Sequence, residues 1–271
     1  LKGAMIEEDS LLVNVLGSVG ARPVRMGSDP IVFADQRGRT TSKEKERYRI
    51  VPDFHTKNRR PGMPEMIGIG RRGQVRVCEA TSVVPMSSVQ FNMDAASMAE
   101  AVALLNAAFE VGPITVALGA NARYMNGVDT GFADVRAIVW EMSHDIRTHA
   151  EVAHGLSGRT GLPDGYFFDG IGRYLTHLHD QPSILNEPES ALTIANGLMW
   201  MDARIKFLRV GGVDPQIVVE FRPVSVQPSV EDEYFLMAFA VGYVYACSCG
   251  HTFTRLPFHL LHDNRASAAL Y

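Results

Sequence analysis

The chain has 271 residues, 46% of them apolar and 21% charged, with a formal net charge of −4. That is enough for a sizeable core, and one α+β domain is a simpler reading than two small ones. The negative balance offers no basic field, which argues against nucleic acid as a main partner.

Cys78, Cys247 and Cys249 form no C-x-x-C pattern, and the last two are too close for an ordinary disulfide. Reduced thiols in a cytoplasmic protein are therefore expected. The apolar run from Phe235 to Cys249 is too short to span a bilayer comfortably. The opening LKGAMIEED has no apolar signal-peptide core, so no membrane partner is expected.

In chain order, Leu11, Leu12, Val15, Leu16 and Val19 fall at helical spacing and predict a helix over Glu7 to Gly20. ARPVRMG reads as a short strand before the turn GSDP. From Asp35 to Arg72 the composition is polar, basic and rich in Gly and Pro, which predicts a loop excursion. Its Arg47, Lys57, Arg59 and Arg60 either form a solvated face or cover an anionic ligand. GQVRVCEAT and SSVQFNMD read as strands. A helix is expected over Ala95 to Val111, with Pro113 opening a second one. GFADVRAIVWEM predicts a helix, and His144 to Gly165 a loop-rich stretch. Helices over Tyr166 to His179 and Ala191 to Met201 precede the strands DARIKFLRV and QIVVEFRPV. Ser229 with Asp232 forms an N-cap signature that opens a helix through Tyr245.

Residues two apart in a strand share a face. Gln216, Val218, Glu220 and Arg222 therefore lie together, opposite Ile217, Val219 and Phe221. SSVQFNMD divides likewise, Ser88, Gln90, Asn92 and Asp94 against Val89, Phe91 and Met93, and Arg204 and Lys206 oppose Ile205 and Phe207. Each strand alone fits an antiparallel sheet with one wet face. Recurrence of Gln, Asn, Glu and Arg on that face points further, to groups that hydrogen-bond or ligate with fixed geometry. No G-x-S-x-G, H-E-x-x-H or G-x-x-x-x-G-K-[ST] motif is present, and GIGRRG precedes a strand, unlike a dinucleotide loop.

SSVQFNMD, ALGANARYMNGVDTGFADVRAIVW, DARIKF and VVEFRPVSVQPS, in this order, resemble successive motifs of the plant and bacterial glutamate–cysteine ligase family, which includes the bacterial carboxylate–amine ligases. KERYRI and DNRASAAL resemble further elements of that family, and the order and spacing match over Glu46 to Pro228. The resemblance implies a curved antiparallel sheet with helices on the convex side, a glutamine-synthetase-like catalytic architecture. It implies a single catalytic domain over residues 1–271. It also implies an ATP- and Mg²⁺-dependent ligase that joins a glutamate-like carboxylate to an amino-acid-like amine through an acyl phosphate. An oligomer is compatible with it.

Carried over by position, Glu220 is the expected magnesium ligand, with Gln90 nearby. Gln90 and Asn92 are placed near metal and nucleotide, and Arg222 faces the phosphates. Arg136 is expected to hold the substrate carboxylate, and Arg204 to partner phosphate or substrate. Asn121 either shapes its loop or touches substrate. Because Glu220 sits on the polar face, Glu220→Gln is expected to abolish turnover and leave the fold intact.

The chain departs from the family pattern in two places. ANARYMNG stands where A-N-S-P-F-x-x-G is usual, so Arg123 is expected to read an additional substrate carboxylate. The family's N-terminal acidic strands are not visible: IEEDSLLV is either a degenerate one or part of the first helix, and its periodicity favours the helix. The expectation is that those strands are missing. A non-catalytic relative that binds nucleotide or amino acid is the alternative function.

Overall fold

The computed structural model describes residues 1–30, 47–69, 73–182, 184–185, 191–208, 216–249 and 255–270. Helix α1 (Lys2–Ser18) covers the first predicted helix and begins earlier. None of its residues is buried. Arg25 ties it to the body by pairing with Asp9 at 2.7 Å and Glu233 at 2.5 Å.

The excursion expected over Asp35 to Arg72 is corrected in part, its remainder falling outside the described residues. Helix α2 (Arg47–Asn58) forms there, and β1 (Met66–Ile67) pairs antiparallel with β2 (Val75–Arg76). His55 is fully buried on α2. Arg59 donates to the Met142 carbonyl at 2.6 Å, and Arg60 pairs with Asp145 at 3.2 Å. These two arginines dock their segment onto the body, so neither is a merely solvated charge. The strand expected in GQVRVCEAT shrinks to β2, and a 3-10 turn follows at Ala80–Val83.

The two helices expected around Pro113 are one, α3 (Met98–Leu118). Ser97 caps it by accepting the Glu100 N–H. Proline inside a helix costs about 3 kcal/mol. Here Leu104, Leu105 and Phe109 before it and Val116 after it are all enclosed, so packing holds both turns in line. By length and composition α3 could cross a bilayer, but in this structure it is the central core helix.

A small hairpin, β4 (Tyr124–Met125) and β5 (Val128–Asp129), follows, and then α4 (Val135–His144), capped by Asp134. The loop expected over His144 to Gly165 contains a short helix, α5 (His149–Ala153), and β6 (Thr160–Gly161). Helix α6 (Ile171–His179) starts later than predicted. Helix α7 (Ala191–Gly197) ends early because Trp200–Met201 is strand β7, paired parallel with β6.

The central sheet contains β3 (Phe91–Ala95), β8 (Ala203–Leu208) and β9 (Gln216–Phe221), antiparallel in the order β3-β9-β8. Met93, Ile205, Val219 and Phe221 on one face join the core with Leu104, Leu105 and Phe109 of α3. Helix α8 (Val230–Ser248), with its predicted Ser229 cap, packs on α3, as does α9 (Phe258–Leu270). The outer edge of β8 is closed by side chains: Ile205 N donates to the Tyr174 hydroxyl at 3.2 Å, and Asn196 Nδ2 donates to the Ile205 carbonyl at 2.6 Å. The Tyr174 hydroxyl in turn donates to Asn196 Oδ1 at 2.7 Å. The mixed helix and sheet content agrees with the expected α+β class.

Candidate active site

The register sets Asn92, Glu220 and Arg204 in one row across three strands, with Asp94, Val218 and Lys206 in the next. Paired residues in a sheet project to the same side, so the partition read from alternation holds. Asn92 and Asp94 are exposed, whereas Glu220 is only 6% exposed.

Glu220 is buried among cations. Arg204 Nε donates to Glu220 Oε2 at 2.6 Å, and Lys206 Nζ donates to Oε1 at 2.8 Å. Arg222 NH1 lies 3.6 Å from Oε2. Burial pushes the Glu220 carboxyl up. The hydrogen bond from Lys206 and the charges of Arg204 and Arg222 outweigh burial and hold its pKa below the ordinary carboxylate value. Burial, reinforced by the charge of Arg204, pulls Arg222 down to about 10. Three cations around one carboxylate leave a net positive site.

Main-chain carbonyls fix the row from below. Arg204 NH1 donates to the carbonyls of Asn196, Gly197 and Met199 at 2.8 to 3.1 Å. Arg222 NH1 reaches the Met199 carbonyl at 3.3 Å. These acceptors lie at the end of α7 and just beyond it, where helix carbonyls lack internal partners and attract cations. A cavity of about 280 Å³ opens beside the row, lined by Arg204, Lys206, Leu178, Leu192 and Asn196.

The remaining predicted residues sit elsewhere. Arg136 is buried, and its two terminal nitrogens donate to the carbonyls of Pro223 and Arg222 at 2.8 and 2.9 Å. In this structure it braces the end of β9. Asn121 Nδ2 donates to the Val226 carbonyl at 2.7 Å, which is loop shaping. Arg123 projects from the start of the β4–β5 hairpin and is bound to Asp129 at 2.9 Å. Gln90 precedes β3, is exposed, and donates to the Ser88 hydroxyl at 2.9 Å.

Other polar groups gave less signal. The R-x-K alternation already put Lys206 beside Arg204, but the sequence offered no sign that it pairs with Glu220. Arg265 binds Asp202 through Nε at 2.7 Å, and also contacts Glu141 and the Ala137 carbonyl. Burial opposes its charge, yet Asp202 and Glu141 hold its pKa above the ordinary value. This node ties α9 to α4 and to the start of β8. The buried His55 and His144 cluster with the half-buried Trp140 and Trp200, ring centroids 4.5 to 5.4 Å apart, and the two tryptophans stack.

A magnesium ion does not fit the row as it is arranged. Both Glu220 oxygens are taken, and an incoming divalent cation would meet Arg204, Lys206 and Arg222 at close range. Among the described residues, no group of three or more His, Cys, Asp or Glu is placed to hold a metal. An anion, carboxylate or phosphate, suits the same cations.

The coarse class is an α+β protein whose antiparallel sheet carries a cationic row. The family is more specific: the sequence model of glutamate–cysteine ligase family 2 (GCS2) matches residues 2–250, and the chain belongs to that family. At family level it is a glutamate–cysteine ligase-like carboxylate–amine ligase. The match extends beyond Glu46 to Pro228 on both sides and stops short of DNRASAAL. No curated protein matches the chain.

Proposed function

We propose that the chain is an ATP-dependent ligase that forms a γ-glutamyl or related amide through an acyl phosphate. The observation that carries the reading is the row of Arg204, Lys206 and Arg222 around Glu220 on a rigid sheet beside a cavity. On this reading the β3-β9-β8 sheet is part of a curved, glutamine-synthetase-like sheet with α3 and α8 on its convex side.

The chemistry brings anions together. A carboxylate oxygen attacks the γ-phosphorus of ATP; the new O–P bond forms as the bond to the ADP oxygen breaks, and its electron pair leaves with ADP. The amine nitrogen then attacks the acyl carbon, the C–N bond forms, the C–O bond breaks, phosphate leaves and the amine proton passes to solvent. Fixed cations lower the cost of gathering this charge and need no reorganisation as it shifts. Arg204 and Lys206 line the cavity and are assigned to the incoming anions. Arg222, outside that cavity and tied to the Met199 carbonyl, is assigned to the phosphoryl group. Magnesium is implied by the resemblance, but the residues at Glu220 do not form its site, so no step is assigned to it.

The test is ADP release and mass detection of the amide, with ATP, magnesium, a carboxylate panel led by glutamate, and an amine panel led by amino acids. ADP release that needs both carboxylate and amine supports the ligase. The saturated Glu220 favours one second reading, a non-catalytic relative that binds nucleotide or amino acid. Tight ATP or glutamate binding without turnover across the panel would select it, and neither binding nor turnover would remove both readings.

A further inference from the structure

Arg159 lies beside β6 and is only 3% exposed. Its carbonyl accepts the Trp200 N–H at 2.6 Å, and its NH2 donates to the Pro182 carbonyl. Its Nε and NH1 find no partner among the described residues. Among the described residues no carboxylate offsets the burial, which pulls its pKa to about 10. A guanidinium enclosed with two donors unmet is costly, and its natural complement is a planar anion that accepts from both.

The side chain borders two cavities. One is polar and lined by Glu151, Asp164 and Asp180, which repel an anion, while its Arg147 and Arg173 are already paired with Asp145 and Asp164. The other, about 300 Å³, is walled mainly by Leu178, Ile184, Leu192, Ile194 and Leu198, with Arg159 as its one buried charge among the described residues. At ~30 Å³ per water-sized group it has room for roughly ten non-hydrogen atoms. An apolar wall with one cation selects a molecule that is apolar along its length and anionic at one end. Leu178 and Leu192 also line the cavity beside Arg204 and Lys206, so the two spaces adjoin.

We propose that this second cavity binds an apolar monocarboxylate, its carboxylate on Arg159 and its aliphatic or aromatic tail among the leucines and isoleucines. The site does not depend on the ligase reading.

The experiment measures hexanoate, hexanamide and inorganic phosphate on the whole chain by calorimetry and thermal shift. Hexanoate should bind and raise the melting temperature, and hexanamide and phosphate should bind at least about tenfold more weakly, since the first lacks the charge and the second the tail. Arg159→Met should remain folded, be no less stable without ligand, and lose roughly 10- to 100-fold in hexanoate affinity. Leu192→Trp, which fills the cavity from a half-exposed position, should weaken hexanoate binding while Arg159 is intact. Equal binding of hexanoate and hexanamide, phosphate matching hexanoate, or unchanged affinity in Arg159→Met would overturn the proposal. So would unfolding of Arg159→Met, which would make the guanidinium a structural partner.

Discussion

Replacing Glu220 by Gln removes the one negative charge that three buried or half-buried cations share. The fold is expected to survive, as the sequence suggested, but at a stability cost, because the polar face at Glu220 is covered. Breaking a buried ion pair by removing one partner costs about 3–5 kcal/mol. Lys206, 28% exposed at its side chain, can turn to water, whereas Arg204 and Arg222, each 12% exposed, cannot escape each other. The lower end, about 3 kcal/mol, is therefore expected. With a urea slope of about 3 kcal/mol per molar, the unfolding midpoint should fall by about 1 M. Urea titration followed by circular dichroism reads this directly. A cycle with Lys206→Met should show coupling of about 0.5–3 kcal/mol. The pH dependence gives an independent check. The folded pKa of Glu220 is depressed, so its contribution is present above the unfolded carboxylate value and is lost as pH falls through the folded one. That acid-side loss should be smaller in Glu220→Gln. A midpoint shift below about 0.3 M at unchanged slope would refute the view that the row depends on its carboxylate.

Burial pulls His55 down to about 4, with the charge of Arg159 adding to the fall, and it pulls His177 to about 4 as well. Both are neutral in either state above about pH 6.5; between 6.5 and 4 only the unfolded chain takes the proton. Stability should therefore fall with pH in that window by up to about 1.4 kcal/mol per unit for each histidine, and His55→Phe should flatten the slope in urea melts at pH 7, 6 and 5. Tyr174→Phe leaves the edge of β8 without its hydroxyl and should cost about 1–3 kcal/mol, read from the same titration. Arg265→Met strands Asp202 beside the buried Arg136 and should cost about 3–5 kcal/mol; a loss under 1 kcal/mol would show that the node is dispensable.

Alternation showed which side each residue of β3, β8 and β9 takes, because a strand offers only two faces. It could not show what covers a face. Glu220 is held by Arg204 and Lys206, and Arg204 in turn by carbonyls near the end of α7, contacts between separate elements that leave no local signature. The helix Arg47–Asn58 was hidden by composition, since its basic residues resemble a solvated loop until Met142 and Asp145 are seen to receive Arg59 and Arg60. Pro113 was read by its local cost, which the surrounding core overrides. Ordered motifs located the family from the sequence alone. Arg136 shows their limit: the motif marks a position, while its partners in the fold are the carbonyls of Arg222 and Pro223.

The side-chain closure of β8 also gives the central sheet a direction of growth. The Ile205 N–H and carbonyl are the groups at mid-strand through which a neighbour would join, and Tyr174 and Asn196 already hold them. A strand arriving from another chain, or from a misfolded copy of this one, would have to evict two buried side chains to dock there. The far side of β3 is held more lightly, by the Tyr245 hydroxyl donating to the Asp94 carbonyl at 3.2 Å, so enlargement of the sheet meets less resistance there.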